Sequence, residues 1–157
     1  IVASCQSTLP GGMRCPGIHL PAFERSLTMS LEKMIALHPD VAGEVNLELA
    51  TAARHAMLCS LFCTSCADAC IAEDMDMTQC IRTCLDCADI CAATAKIAVR
   101  RAGQNIAMLR GQIETCFSAC ELCANECAKH DHDHCRLCAD MCRECAEDCR
   151  KALPTIQ

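Results

Sequence analysis

The stretch HDHDHCRLCADMCRECAEDC, residues 130–149, sets five cysteines behind three alternating histidines. The cysteines, Cys135, Cys138, Cys142, Cys145 and Cys149, follow one another at steps of three, four, three and four. Side chains at those steps share one face of an α-helix, whereas the period of two in a strand would scatter them over both faces. The fragment therefore reads as a helix carrying a stripe of thiols. Three sister stripes lie upstream, each of the form C-x3-C-x2-C-x3-C: Cys59, Cys63, Cys66 and Cys70; Cys80, Cys84, Cys87 and Cys91; Cys116, Cys120, Cys123 and Cys127. At about 100° per residue, one such set returns to within ~20° of its starting direction.

Four long helices are predicted, over residues 41–73, 77–102, 104–129 and 132–152. The breaks fall at EDMD, around Gly103, and at KHDHD. Asp40 is the expected N-cap of the first, Asp76 or Thr78 of the second, and Asp131 or Asp133 of the fourth. No proline interrupts residues 41–153, which suits long helices. Connections this short make neighbours antiparallel, so the fold class is all-α, an up-down-up-down four-helix bundle. A short extra helix precedes it, over about 26–38, started by Ser26 or Ser30 and ended by His38-Pro39. Residues 1–25 read as an irregular segment with turn signals at Pro10-Gly11-Gly12 and Pro16-Gly17, for which a tag remnant, a non-native start and the remainder after a removed signal all stay open. Residues 41–153 form the Cys-lined domain.

Composition narrows the function. The 157 residues hold 19 Cys, no Trp or Tyr and only 3 Phe, so large apolar side chains do not fill this core in the ordinary way. The net charge of −6 and the lack of a basic cluster argue against nucleic acid as a partner. No run of ~18 apolar residues suggests a membrane span, and the first residues lack the pattern of a secretory signal.

All four stripes must face the bundle interior, because residues such as Asp68, Asp86, Asp89, Glu121, Arg143 and Glu144 lie off them. Antiparallel packing brings one end of every stripe to a common mouth. Extending the stripes by a turn adds Met77, His130 and His134 there, with Met75, His132 and Asp74 in the adjoining loops. These groups are either ligands that pass ions inward or a solvated, helix-capping loop. The opposite end continues as Ala95, Ala98, Leu109, Ile113 and Ala152, an apolar plug apart from His55, which lies four residues before Cys59 on its stripe. His55 is a further candidate ligand, or else a satisfied core histidine.

Seventeen inward thiols need a chemistry. As plain hydrophobes they would pack poorly. Disulfides between neighbours on one helix have the wrong geometry, and an odd number cannot all pair. Isolated zinc sites would use part of each stripe, although C-x2-C occurs five times. The iron–sulfur run ending C-P is missing, and no inward Glu-x-x-His suggests a carboxylate di-metal centre. Soft thiolates select Cu(I), which accepts two sulfurs in near-linear geometry. If each thiolate bridges two ions, capacity approaches one ion per cysteine, roughly seventeen per chain. The alternatives that stay open are a zinc-binding structural module and a thiol redox or disulfide protein.

The four stripes, and above all CAKHDHDHCRLCADMCRECAEDC at residues 127–149, closely resemble the bacterial copper storage protein family over about residues 44–152. The resemblance implies a non-enzymatic bundle holding many Cu(I) ions along its interior, usually in a homotetramer, served by copper donor or acceptor proteins. The stripe cysteines match the family's ligand positions. Of the family's cytosolic and Tat-exported branches, the His-rich loop resembles the cytosolic one. Arg100-Arg101 falls within a predicted helix and is no twin-arginine signal, so the resemblance implies a cytoplasmic protein. Residues 1–28, with Cys5 and Cys15, have no counterpart in it.

Overall fold

A computed structural model describes residues 30–41, 43–100 and 105–157. The expected irregular segment, Cys5, Cys15, Ser26 and the break at Gly103 lie outside the described residues. Five α-helices run in order: α1 Leu31–Ala36, α2 Leu47–Ile71, α3 Thr78–Ala98, α4 Ile106–Cys127 and α5 Asp133–Ala152, followed by a 3-10 turn, Leu153–Thr155. Helix α2 packs on α3, α3 on α4, α4 on α5 and α5 back on α2, while α1 leans on α2. Consecutive long helices are thus neighbours in a closed ring, the up-down-up-down bundle that the short connections dictate.

The helix starts differ from the sequence expectation, for local reasons. Ser30 caps α1, its side chain accepting the Lys33 N–H at 3.2 Å. Asp40 does not cap α2. Residues 38–41 turn instead, and Gly43 sits at φ +87°, a conformation that L side chains rarely adopt. Asn46 takes the cap position, accepting the Leu49 N–H at 3.0 Å. Met77 stands at the N-cap of α3, and Asp76 beside it accepts the Thr78 N–H at 3.0 Å. His132 stands at the N-cap of α5, and the two expected caps, Asp131 and Asp133, both bind Arg136.

Inside the ring the core is mostly small-residue. All seventeen stripe cysteines are buried. A buried alanine follows the second cysteine of each C-x2-C pair: Ala67, Ala88, Ala124, Ala139 and Ala146. These alanines sit at the seams, where a larger side chain would push the helices apart. Large apolar residues gather at the far end, where Leu109, Ile113 and Ile156 are buried. Polar bonds brace that end. Gln112 Nε2 donates to the fully buried Thr94 Oγ1 at 2.9 Å, joining α4 to α3. Asn46 Nδ2 donates to Thr155 Oγ1 at 2.9 Å, and Arg110 to the Ile156 carbonyl at 2.6 Å. Met141 is buried, while Met57 and Met108 are exposed. Among the described residues, no helix is long and apolar enough to cross a membrane.

Stability should therefore reside at the plug. Ile113→Ala is expected to cost about 2–5 kcal/mol, and Cys120→Ala in mid-column about 1 kcal/mol, read by urea unfolding of the reduced, metal-free protein. Equal losses would show that the two ends carry the fold alike.

Candidate metal centre

The thiols form one continuous column. Cys59 Sγ lies 3.8 Å from Cys63 Sγ on the same helix, 3.9 Å from Cys120 and 3.5 Å from Cys142. Cys63 is in turn 3.8 Å from Cys123 and 3.7 Å from Cys138. Toward the mouth, Cys84 meets Cys127 at 3.5 Å, and Cys80 meets Cys127 and Cys70, each at 3.8 Å. Toward the plug, Cys91 meets Cys120 at 3.5 Å and Cys116 at 3.7 Å. Most of these approaches cross between helices, so the ring, not one helix, builds the column.

Separations of 3.5–4.0 Å are far above the ~2.05 Å of a disulfide, and every described cysteine is free. At a metal–sulfur bond of about 2.3 Å they correspond to an S–metal–S angle of about 100–120°. The resting column thus fits bent coordination. The near-linear geometry expected from the spacings needs the sulfurs to part to about 4.6 Å.

The sulfurs also group into sets whose ligand atoms lie within 4.8 Å of one another. Such sets include Cys59, Cys63, Cys87 and Cys142; Cys59, Cys87, Cys91 and Cys120; Cys63, Cys123, Cys138 and Cys142; and Cys66, Cys80, Cys84 and Cys127. Cys59, Cys87, Cys63 and Cys142 each belong to two of these sets. Shared membership is the geometry of bridging ligands. Cys145 and Cys149 extend the column through Cys116.

A mixed set closes the mouth: Cys66, Cys70, Cys135 and His134. His134 Nδ1 lies 3.5 Å from both Cys66 Sγ and Cys135 Sγ. Met77 is buried at the head of α3. His130 is mostly buried, with Nε2 3.7 Å from Glu126 Oε1 and without a hydrogen bond among the described residues. His132 stacks on His134 with ring centroids 5.3 Å apart. His55 faces a carboxylate: its Nδ1 contacts Asp148 Oδ2 from α5, and Ala56 takes the buried position on the α2 stripe. The structure thus sets His134 against the thiols and places His55 at the rim of the far end.

Sequence reasoning named Asp74 at the mouth and passed over Glu73. Asp74 is exposed, whereas Glu73 holds both His132 and His134. The signal was present, since Glu73 lies three residues beyond Cys70 and continues the α2 stripe. Asp148 precedes Cys149 and lies off the α5 stripe, so spacing alone does not point to it.

Electrostatics differ along the column. At the mouth, a hydrogen bond from Cys127 leads in lowering Cys66 to about 6, with His134 acting in the same direction. Burial pushes Cys70 up to about 12 and raises Cys135 as well. Burial works to lower His134, but its hydrogen bonds to Cys66 and Glu73 prevail and the imidazole is raised. Deeper in, hydrogen bonding divides the thiols: Cys59 is lowered, chiefly by Cys120, and Cys63 is raised, chiefly by its contact with Cys123. Glu73, Asp74, Asp76, Asp131 and Asp133 around the opening favour the approach of a cation.

Known proteins are similar to this chain in sequence and fold. A model of the copper storage protein family matches residues 45–154. An uncharacterized cysteine-rich protein of Bacillus subtilis, YhjQ, is 39% identical over 83 residues, which span 52% of this chain and 73% of that one. The copper storage protein Ccsp of Streptomyces lividans, in a structure loaded with 10 copper equivalents, superposes with a TM-score of 0.76. It is 37% identical, with 80% of this chain and 98% of that chain covered. A structure of copper loading to a cytosolic copper storage protein from Streptomyces lividans, with five coppers, gives a TM-score of 0.67 at 40% identity. It covers 69% of this chain and 93% of the other.

The lowered Cys66 has a direct consequence. Its thiolate persists above pH ~6 and is lost as the pH falls through that value, and the thiolate is the reactive form. Limited anaerobic alkylation at neutral pH, mapped by mass spectrometry, should label Cys66 ahead of Cys70 and Cys135. Its rate should fall about tenfold per pH unit below ~6. Uniform labelling of the three would contradict this ordering.

Proposed function

We propose that this chain, which belongs to the copper storage protein family, stores Cu(I) in bulk along its thiol column and takes it in through the histidine-bearing mouth. The observation that carries this reading is the sharing of thiols between adjacent ligand sets. Shared sulfurs suit a chain of bridged ions and do not suit separate sites.

Charge supports the same ion. Replacing one thiol proton by one Cu(I) leaves the charge of the column unchanged, so the low-dielectric interior can fill without accumulating charge. A Zn(II) ion held by four thiolates would leave two negative charges buried at each site. Zinc would also saturate at about four ions for seventeen thiols, by four-coordinate ligation. The redox alternative requires sulfurs placed for bonding, and the column holds them apart.

The seventeen stripe cysteines, from Cys59 to Cys149, are the proposed ligands in the column. His134 joins Cys66, Cys70 and Cys135 at the mouth, with His130 and Met77 beside them. His55, paired with Asp148, is assigned only the closed end, as a ligand that would first have to leave its carboxylate. No catalytic step is assigned; ions are bound and released. The relative described as cytosolic supports a cytoplasmic place for this chain. A homotetramer is proposed on the family resemblance, with exposed Leu58 and Leu61 on α2 offering apolar surface. Copper donor or acceptor proteins would meet the acidic mouth.

Anaerobic Cu(I) titration of the reduced protein against a chromophoric competitor should saturate near one ion per stripe thiol, roughly seventeen. A plateau at about four ions would overturn bulk storage in favour of tetrahedral sites. Replacing His130, His134 and Met77 together should slow uptake and leave capacity nearly intact, measured by stopped-flow mixing with a Cu(I) donor. An unchanged rate would return the three residues to a structural role.

A further inference from the structure

The seam between α3 and α4 opens outward as a surface groove of about 370 Å³. Gln79, Thr83, Asp86 and Ile90 line it from α3, and Ala119, Leu122 and Glu126 from α4. Each of these immediately precedes a stripe cysteine, so the groove runs alongside two of the four thiol stripes. Cys87 itself joins the lining. It keeps 1% of its surface exposed, whereas its column neighbours Cys59, Cys91, Cys120 and Cys142 keep 0%. The groove between α4 and α5 differs. Phe117 and the ion-paired Arg143 and Arg150 stand in it, and no cysteine lines it.

Position makes this thiol unlike those at the mouth. Cys87 follows Cys80 by two helical turns, which places it about 10 Å deeper along α3. Its Sγ lies 3.8 Å from Cys91 Sγ and 3.9 Å from Cys120 Sγ. It belongs both to the set with Cys59, Cys63 and Cys142 and to the set with Cys59, Cys91 and Cys120. An ion bonded to Cys87 therefore has two ligand sets to join without having passed the mouth. The groove's walls bear on what could bring one. Asp86 and Glu126 set carboxylates on its sides, the latter held by Lys129 at 2.6 Å, while Leu122 and Ile90 offer apolar surface. Negatively charged carriers are disfavoured there, and a groove of this size suits a small molecule, not a folded partner.

We propose that the groove between α3 and α4 is a side port to the middle of the column, where a small neutral or cationic Cu(I) complex passes its ion directly to Cys87. The step is a ligand substitution. The bond from carrier to Cu(I) breaks, the bond from Cys87 Sγ to Cu(I) forms, and the thiol proton leaves to solvent. No electron is transferred. The exchange rests on the copper storage function proposed above, whereas access to Cys87 through the groove does not.

Two readouts on the full chain test it. Leu122→Trp fills the groove from its exposed side, Thr83→Phe is a second filling variant, and Leu137→Trp, exposed on α5, is a control outside the groove. In the reduced, metal-free protein, limited anaerobic alkylation with iodoacetamide, mapped by mass spectrometry, should label Cys87 about tenfold faster than Cys59, Cys120 or Cys142. Either filling variant should abolish that lead, and Leu137→Trp should keep it. Cu(I) uptake is then followed by stopped flow in the variant with His130, His134 and Met77 replaced at the mouth. Adding Leu122→Trp should slow uptake from the acetonitrile complex of Cu(I), a small cation, about tenfold at unchanged capacity. Uptake from a bulky anionic disulfonated chelator complex should stay as it was. Labelling of Cys87 no faster than of Cys59, or a lead that survives both filling variants, would overturn the port. Acetonitrile-complex uptake indifferent to Leu122→Trp would overturn exchange through it. A wild-type plateau at about four ions would overturn storage instead, and the metal-free alkylation pattern would still decide access.

Discussion

Seventeen thiols buried between four helices are the constraint from which the rest of this structure follows. A protonated thiol is a small, nearly apolar group, so burying many of them is tolerable. It also leaves the middle of the bundle without the large side chains that usually hold helices together. The molecule answers in two places. Alanines at the seams let the helices close in on the sulfurs, and the far end gathers Ile113, Leu109 and Ile156 with a set of interhelical polar bonds. The column is thus held open from one end and narrowed from the sides.

That division makes the two ends unlike. The plug is apolar and braced. The mouth carries carboxylates, imidazoles, a thioether and the Cys66 thiol lowered to about 6. A cation meets negative charge first, then nitrogen and sulfur, then sulfur alone. In the proposed storage, each incoming Cu(I) would replace a proton on a thiol that already lies beside several others. Charge neutrality would let such filling continue, and the shared sulfurs would give each ion neighbouring positions.

Much of this was legible in residue spacing. Steps of three and four admit only a helical face, and four such faces joined by short connections admit few arrangements other than an antiparallel ring. The cysteine column, the apolar plug and the mouth near His134 all follow from extending four stripes in space. Helix starts were less legible. Asp40 looked like a better cap than Asn46, but Gly43 turns the chain and Asn46 also reaches Thr155, which is 109 positions away in sequence. Asp131 and Asp133 looked like caps for α5, yet Arg136 holds both.

By itself, then, the sequence determined which residues share a helix face, because that depends only on the backbone repeat. It likewise determined that soft ligands line one interior. Only the tertiary structure decided which sulfurs from different helices come within 4 Å and so can bridge. It also decided that His134 presents Nδ1 to thiols while His55 turns to Asp148, and that Glu73, not Asp74, holds the histidines. These are matters of rotation about each helix axis and of contacts between residues far apart in the chain. A difference of one residue there moves a side chain by about 100°, a distinction that side-chain packing across the ring resolves and local spacing does not.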